Sequence, residues 1–284
     1  MRRQHIGIFL LALLLPFLTS YSDSSYAAEK TSWVVYYSDR AALEELIKYD
    51  LLVFDSEVHP PLDPLTDRDK ILLGYISLGE VEDYRYYFND VKSDGILLQE
   101  NKNWKGSYFA DIRSRLWVSR VIEQMIPDIL RRGFDGLFID TLDNPIYLEN
   151  EDPEKYRGMK DAAVRLVRSI RLHYPSIKIM INRAYEILPE VGLYIDMVLG
   201  ESMFTDYDFE KKSYYVVPIY RYQSQVNLLK DVKKRMPHLK IFTLDYWETS
   251  DISGIVRIYK EQRANGFEPY VATIELDRIV SEPK

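Results

Sequence analysis

The chain has 284 residues, with 37 Lys+Arg against 44 Asp+Glu, a formal net charge of -7 and no cysteine. The absence of cysteine excludes disulfides, zinc–thiolate and iron–sulfur centres and a thiol nucleophile, and the acidic balance argues against non-specific nucleic-acid binding. A hydrophobic content of 46% with only 12 Gly and 13 Pro excludes a disordered or collagen-like chain.

The first segment reads as a secretory leader. Arg2 and Arg3 precede an apolar run, Ile6 to Leu18, of 13 residues. That run is too short to span a bilayer, which takes about 20 residues, but it suits the apolar region of a signal peptide. Ser25-Tyr26-Ala27 offers a small-x-small cleavage site, so residues 1–27 are assigned as the signal peptide. The protein is then expected to be exported, periplasmic or extracellular, with no stable membrane insertion after cleavage. The alternative is an uncleaved anchor. Removing 27 of 284 residues leaves 257, numbered 28–284, with a charge of -8 because the leader carries Arg2, Arg3 and Asp23.

Eight apolar, strand-like runs follow in the mature chain: 33–37, 51–55, 71–80, 136–140, 178–183, 197–202, 241–246 and 269–276. They are nearly continuous rather than alternating, as in parallel strands covered on both faces. Between them, Val118, Ile122, Met125 and Ile129 recur with helical spacing, as do Met159, Ala163, Leu166 and Ile170, and less regularly Val226, Leu229 and Met236. Pro127 should kink or split the first of these helices, and Gly133 after Arg131-Arg132 marks its end. Alternating strands and helices imply βαβ units and a parallel sheet. Eight units in about 250 residues predict an α/β fold, a single (β/α)8 TIM barrel over 28–284, in preference to an open doubly wound sheet. No G-x-G-x-x-G follows a strand, which removes the usual reason for a dinucleotide fold. The connection 81–114 is long and irregular, a form that is usually functional, and the eighth helix is expected to be short or missing.

In such barrels the chemistry lies at the C-terminal ends of the strands. The predicted ends carry Tyr37, Asp55, Glu80, Asp140, Asn182-Arg183, Glu201, Asp245 and, near the last, Glu275; Asp143 follows three residues after Asp140. Six of eight strands thus deliver a carboxylate to one rim. Single acids there could be helix caps, but a ring of them suggests chemistry, since unpaired buried charge is costly. Two-carboxylate glycoside hydrolysis is one such chemistry. No metal is expected, because His59, His173 and His238 are scattered without ligand spacing; an all-oxygen Ca²⁺ site is the alternative. No G-x-S-x-G supports a serine nucleophile. Tyr84, Tyr86, Tyr87, Phe88, Trp104, Tyr108 and Tyr246-Trp247 supply rings on which sugars could stack, against the plain packing role most aromatics have. Trp247 is retained as a candidate binding residue.

The run Gly74-Tyr75-Ile76-Ser77-Leu78-Gly79-Glu80-Val81-Glu82-Asp83-Tyr84-Arg85 resembles the third-strand motif of glycoside hydrolase family 114, and Gly133 to Asp143 resembles its fourth-strand motif. Asn103 to Tyr108 and Asp111-Ile112-Arg113 are also similar, with Lys105 where proline is expected. The resemblance implies a (β/α)8 barrel with endo-α-1,4-polygalactosaminidase activity and no cofactor. It implies a retaining mechanism with Asp140 as nucleophile and Glu201 as acid/base. Glu201 is then expected to have a raised pKa, helped by the Asp140 charge. Asp55, Glu80, Asn182 and Asp245 are expected to line the subsites. The implied partner is a galactosamine-rich polysaccharide, cationic where deacetylated. A non-catalytic polysaccharide-binding barrel, and a glycosidase or transglycosylase acting on another α-glycan, are the alternatives.

Overall fold

The computed structural model describes residues 31–283; the signal peptide and cleavage site expected over residues 1–27 lie outside the described residues. Eight strands form one parallel sheet: Trp33–Tyr36 (β1), Leu51–Phe54 (β2), Ile71–Ser77 (β3), Gly136–Asp140 (β4), Lys178–Asn182 (β5), Met197–Glu201 (β6), Lys240–Tyr246 (β7) and Glu268–Ala272 (β8). They pair in chain order from β1 to β8. β1 and β2 are buried at every position, which is why their runs lack polar alternation.

The sheet curls into a nearly closed barrel. At the seam between β1 and β8, Trp33 Nε1 donates to the Glu268 carbonyl at 2.9 Å, and the Tyr37 N–H to the Leu276 carbonyl at 2.7 Å. The Trp33 ring also meets Phe242 and Tyr270 edge-on, at 5.2 and 5.7 Å between centroids. The last strand stops at Ala272, so Glu275 lies in the turn beyond it. No helix follows β8 among the described residues.

The outer layer follows the expected periodicity. Met159–His173 buries Met159, Ala163, Leu166 and Ile170, and Ile219–Arg235 buries Val226, Leu229 and Val232. The helical pattern around Pro127 is divided into Arg115–Arg120, a π-helical turn Val121–Met125, and Ile126–Arg131. The wider turn absorbs the position at which proline supplies no N–H. Gly133 ends this layer at φ 106°, a left-handed conformation that a side chain disfavours.

The long connection after β3 is not irregular. It folds as a three-stranded antiparallel sheet, Glu80–Glu82, Ser107–Ala110 and Leu97–Glu100, with helix Phe88–Ser93 between. Glu80 therefore heads a separate short strand instead of ending β3, which stops at Ser77. A second insertion after β6 forms a hairpin, Thr205–Asp208 with Ser213–Val216, that the apolar-run pattern does not register. Among the described residues no helix is long and apolar enough to cross a membrane.

Candidate active site

The C-terminal ends of the strands open into a cleft of about 690 Å³. Three successive strands, β4, β5 and β6, bring Asp140, Asn182 and Glu201 to its floor. Immediately after each of them stands a non-glycine residue in the left-handed region: Thr141 (φ 63°), Arg183 (φ 52°) and Ser202 (φ 52°). Such conformations cost about 1–3 kcal/mol each and persist where the surroundings hold them. Here the sharp turn leaves each terminal side chain in the cleft. The first of the three turns is held by Thr141 Oγ1, which accepts from the Gly79 N–H at 2.8 Å and lies 2.9 Å from Ser77 Oγ. A Cβ on Gly79 would come within 2.1 Å of the Thr141 carbonyl oxygen, so only glycine fits there.

Asn182 joins the two acids. Its Nδ2 donates to Asp140 Oδ1 at 2.9 Å and to Glu201 Oε2 at 2.6 Å. The distances of 2.9 and 2.6 Å to one nitrogen cap the separation of these two oxygens at 5.5 Å. The second oxygen of Glu201 accepts from the Tyr246 hydroxyl, at the end of β7. Burial, and then the facing Glu201 charge, push the Asp140 carboxyl up to about 7, against the Asn182 hydrogen bond that favours ionisation. The upward push thus falls on the residue expected to act as the nucleophile. Tyr37 and Tyr75 line the same cleft as the pair, their rings 5.5 Å apart. Burial first, and Asp140 next, hold both phenols firmly protonated.

The remaining predicted residues divide. Tyr37, Asp55, Glu80 and Asp143 line the same cleft as Asp140, Asn182 and Glu201. Asp143 begins helix Asp143–Glu151 and lies 3.6 Å from Arg183 Nε. Asp55 is a loop fastener: its Oδ1 accepts the N–H groups of Glu57 and Val58 at 2.7 and 2.9 Å, and its Oδ2 pairs with Arg85 at 3.1 Å. Glu80 accepts from Asn101, Asn144 and Ser107, which ties the inserted sheet to the helix after β4. Burial raises its pKa while the Ser107 and Asn101 donors oppose the rise.

Asp245 and Trp247 are outside the cleft, contrary to expectation. Asp245 is fully buried, accepting the N–H groups of Phe204 and Thr205 at 2.7 and 2.9 Å and the Gln262 amide. The reason is strand parity: Leu244 and Tyr246 face the cleft, so the residue between them faces the outer layer. Trp247 donates to Asp251 Oδ2 at 3.0 Å over the start of helix Ile252–Ala264 and packs on the core.

Sequence reasoning named Tyr246 only as a ring for stacking and gave Arg85 no role. Tyr246 shares the cleft parity that Asp245 lacks. Arg85 is buried among carboxylates, 3.1 Å from Asp55, 3.6 Å from Glu57 and 3.3 Å from Glu82. Its guanidinium stacks on Tyr84 at 5.0 Å. Burial alone would weaken its charge, but Glu82 and Asp55 outweigh that and hold it protonated. Its sequence mark is a lone cation after the acids at 80, 82 and 83. Among the described residues no group of three or more His, Asp or Glu is arranged to hold a metal ion.

The family model for glycoside-hydrolase family GH114 matches residues 19–283. The chain belongs to this family. The fold is similar to that of the glycoside hydrolase domain of PelA from Pseudomonas aeruginosa, with a TM-score of 0.79 at 22% identity over 89% of this chain and 98% of that one. It is also similar to Ega3 of Aspergillus fumigatus, solved in complex with galactosamine, with a TM-score of 0.64 at 15% identity over 89% and 94% of the two chains. An uncharacterised protein of Methanocaldococcus jannaschii is 33% identical over 85 residues, which is 29% of this chain and 24% of that protein. The match thus spans about a quarter of that curated relative's length.

Proposed function

We propose that this GH114 chain is an exported, endo-acting glycoside hydrolase that cleaves α-1,4-linked galactosamine or N-acetylgalactosamine polymers with retention of configuration. The observation that carries the mechanism is the single Asn182 amide shared by Asp140 and Glu201. The 5.5 Å ceiling it sets admits the separation of about 5–5.5 Å used in retaining enzymes and lies below the roughly 6.5–9.5 Å that leaves room for water in inverting ones. The galactosamine bound in the Ega3 structure supports the substrate class. The apolar leader supports export.

In the first step Asp140 attacks the anomeric carbon. The glycosidic C–O bond breaks, its electron pair goes to the leaving oxygen, and Glu201 gives that oxygen its proton. In the second step Glu201 takes a proton from water, the hydroxide attacks the anomeric carbon, and the ester to Asp140 breaks. This sequence requires Asp140 ionised and Glu201 protonated at its start. Asn182 and Tyr246 orient Glu201, and Tyr37 and Asp143 are placed to contact the sugar.

The test is a reducing-end assay of the mature chain on partly deacetylated α-1,4-galactosaminoglycan, with chitosan as control, and NMR of the first product formed. New ends on the first polymer alone, appearing as the α anomer, are expected. Asp140→Asn and Glu201→Gln are each expected to abolish them. Near-wild-type turnover in either variant overturns the role given to that residue, and a β product overturns retention.

A further inference from the structure

The two insertions that flank the cleft meet through aromatic rings. Trp104, in the insertion after β3, lines the cleft and is 53% exposed. Its ring centroid is 5.0 Å from that of Phe209, at 76°. Phe209 belongs to the hairpin after β6, is also 53% exposed, and is not part of the cleft lining. Behind Phe209 the row continues inward. Tyr207 meets it at 5.1 Å and 85°, Tyr214 meets Tyr207 at 5.0 Å, and Tyr214 leans on Trp247 at 6.4 Å. Trp247 is itself packed on the core. The outer two rings are therefore braced by three that are half-buried.

We propose that Trp104 and Phe209 form an aromatic platform that holds the polysaccharide chain beyond the reacting sugar, so that the enzyme discriminates long chains from short ones. This rests on the glycosidase reading above. Two large apolar rings, exposed side by side on insertions the barrel does not require, mark a binding surface. Bracing limits the rotamer freedom lost on binding, which makes rigid rings efficient anchors. An edge-to-face pair leaves ring surface open to the apolar C–H faces of a pyranose. Continuity through Trp104 selects the occupant, because a chain seated at Asp140 and Glu201 that runs toward Trp104 next meets Phe209. Asn103 and Lys105, which also line the cleft, offer hydrogen bonds to hydroxyls along that path.

The experiment compares wild-type chain with Phe209→Ala, Phe209→Leu and Phe209→Tyr on α-1,4-galactosaminoglycan and on the corresponding disaccharide or trisaccharide. It also measures binding of the polymer to Asp140→Asn with and without Phe209→Ala, by affinity electrophoresis. The expected result is a rise of about tenfold in KM for the polymer in Phe209→Ala and Phe209→Leu, with kcat retained. The short substrate should be affected less than twofold, and Phe209→Tyr should restore the polymer KM. Equal losses on long and short substrates, or no loss on either with all variants folded, overturn the platform. So does polymer binding by Asp140→Asn that ignores Phe209. If wild type cleaves neither substrate but Asp140→Asn binds polymer through Phe209, the platform stands and the hydrolytic reading falls.

Discussion

Half-buried Asp140 and fully buried Asp245 both have raised pKa values, for different reasons and with different consequences. Asp140 is pushed to about 7 by burial and then by Glu201, and Asp245 to about 6 by burial against three hydrogen bonds. In each case the folded state holds the proton more tightly than the unfolded chain, whose reference value is 3.8. Stability from this source is complete below about pH 4 and is lost as pH rises toward 7. Asp140→Asn removes the larger charge burden. It is expected to gain on the order of 2–4 kcal/mol over wild type at pH 8 and almost nothing at pH 3, read as the difference in Tm at the two pH values. A Tm advantage independent of pH would remove the buried-charge account. Asp245→Ala leaves two backbone N–H groups and the Gln262 amide without their acceptor. It is expected to cost about 2–5 kcal/mol, seen in a denaturant midpoint, through stability and not through substrate KM. The sequence places both acids near strand ends, yet only parity along β7 tells that one faces the cleft and the other does not.

At the scale of elements, the site depends on three strand ends that turn through left-handed residues. Ser202 follows Glu201 directly at φ 52°. A β-branched side chain cannot hold that conformation without strain. Ser202→Val is therefore expected to lose about 1–3 kcal/mol of stability and to lower kcat by displacing Glu201, while Ser202→Gly keeps both near wild type. Thermal unfolding and turnover of the pair check this; equal behaviour of Val and Gly would show that the turn does not set the position of Glu201. The strands, and the helix divided at Pro127, were legible because apolar run length and proline chemistry act locally. The antiparallel sheet inside 80–110 was not, because its strands are three or four residues long and alternate little. Its key tie, Glu80 to Asn101 and Asn144, spans residues with no common periodicity.

The whole molecule is held closed at one seam. Between β1 and β8 the Trp33 indole supplies a hydrogen bond to the Glu268 carbonyl and edge contacts to two rings. Trp33→Ala is expected to cost about 3–5 kcal/mol and Trp33→Phe less, both read as Tm. Because Tyr37 joins the same seam through Leu276 and lines the same cleft as Asp140, the Ala variant should also raise KM. A stable Trp33→Ala chain with unchanged KM would show that closure is carried elsewhere.

By itself the sequence determined the repeating strand–helix order, the barrel class and the presence of acids at the ends of β4 and β6, since burial patterns and strand length are written locally along the chain. The family motifs around Glu80 and Asp140 were readable for the same reason. Only the tertiary structure decided that Asn182 links Asp140 to Glu201, that Tyr246 lines the cleft while Asp245 and Trp247 do not, and that Arg85 gathers three carboxylates. Those outcomes depend on which face of a strand is turned to the cleft and on distances between segments tens of residues apart, whereas spacing along one strand fixes only the alternation of faces.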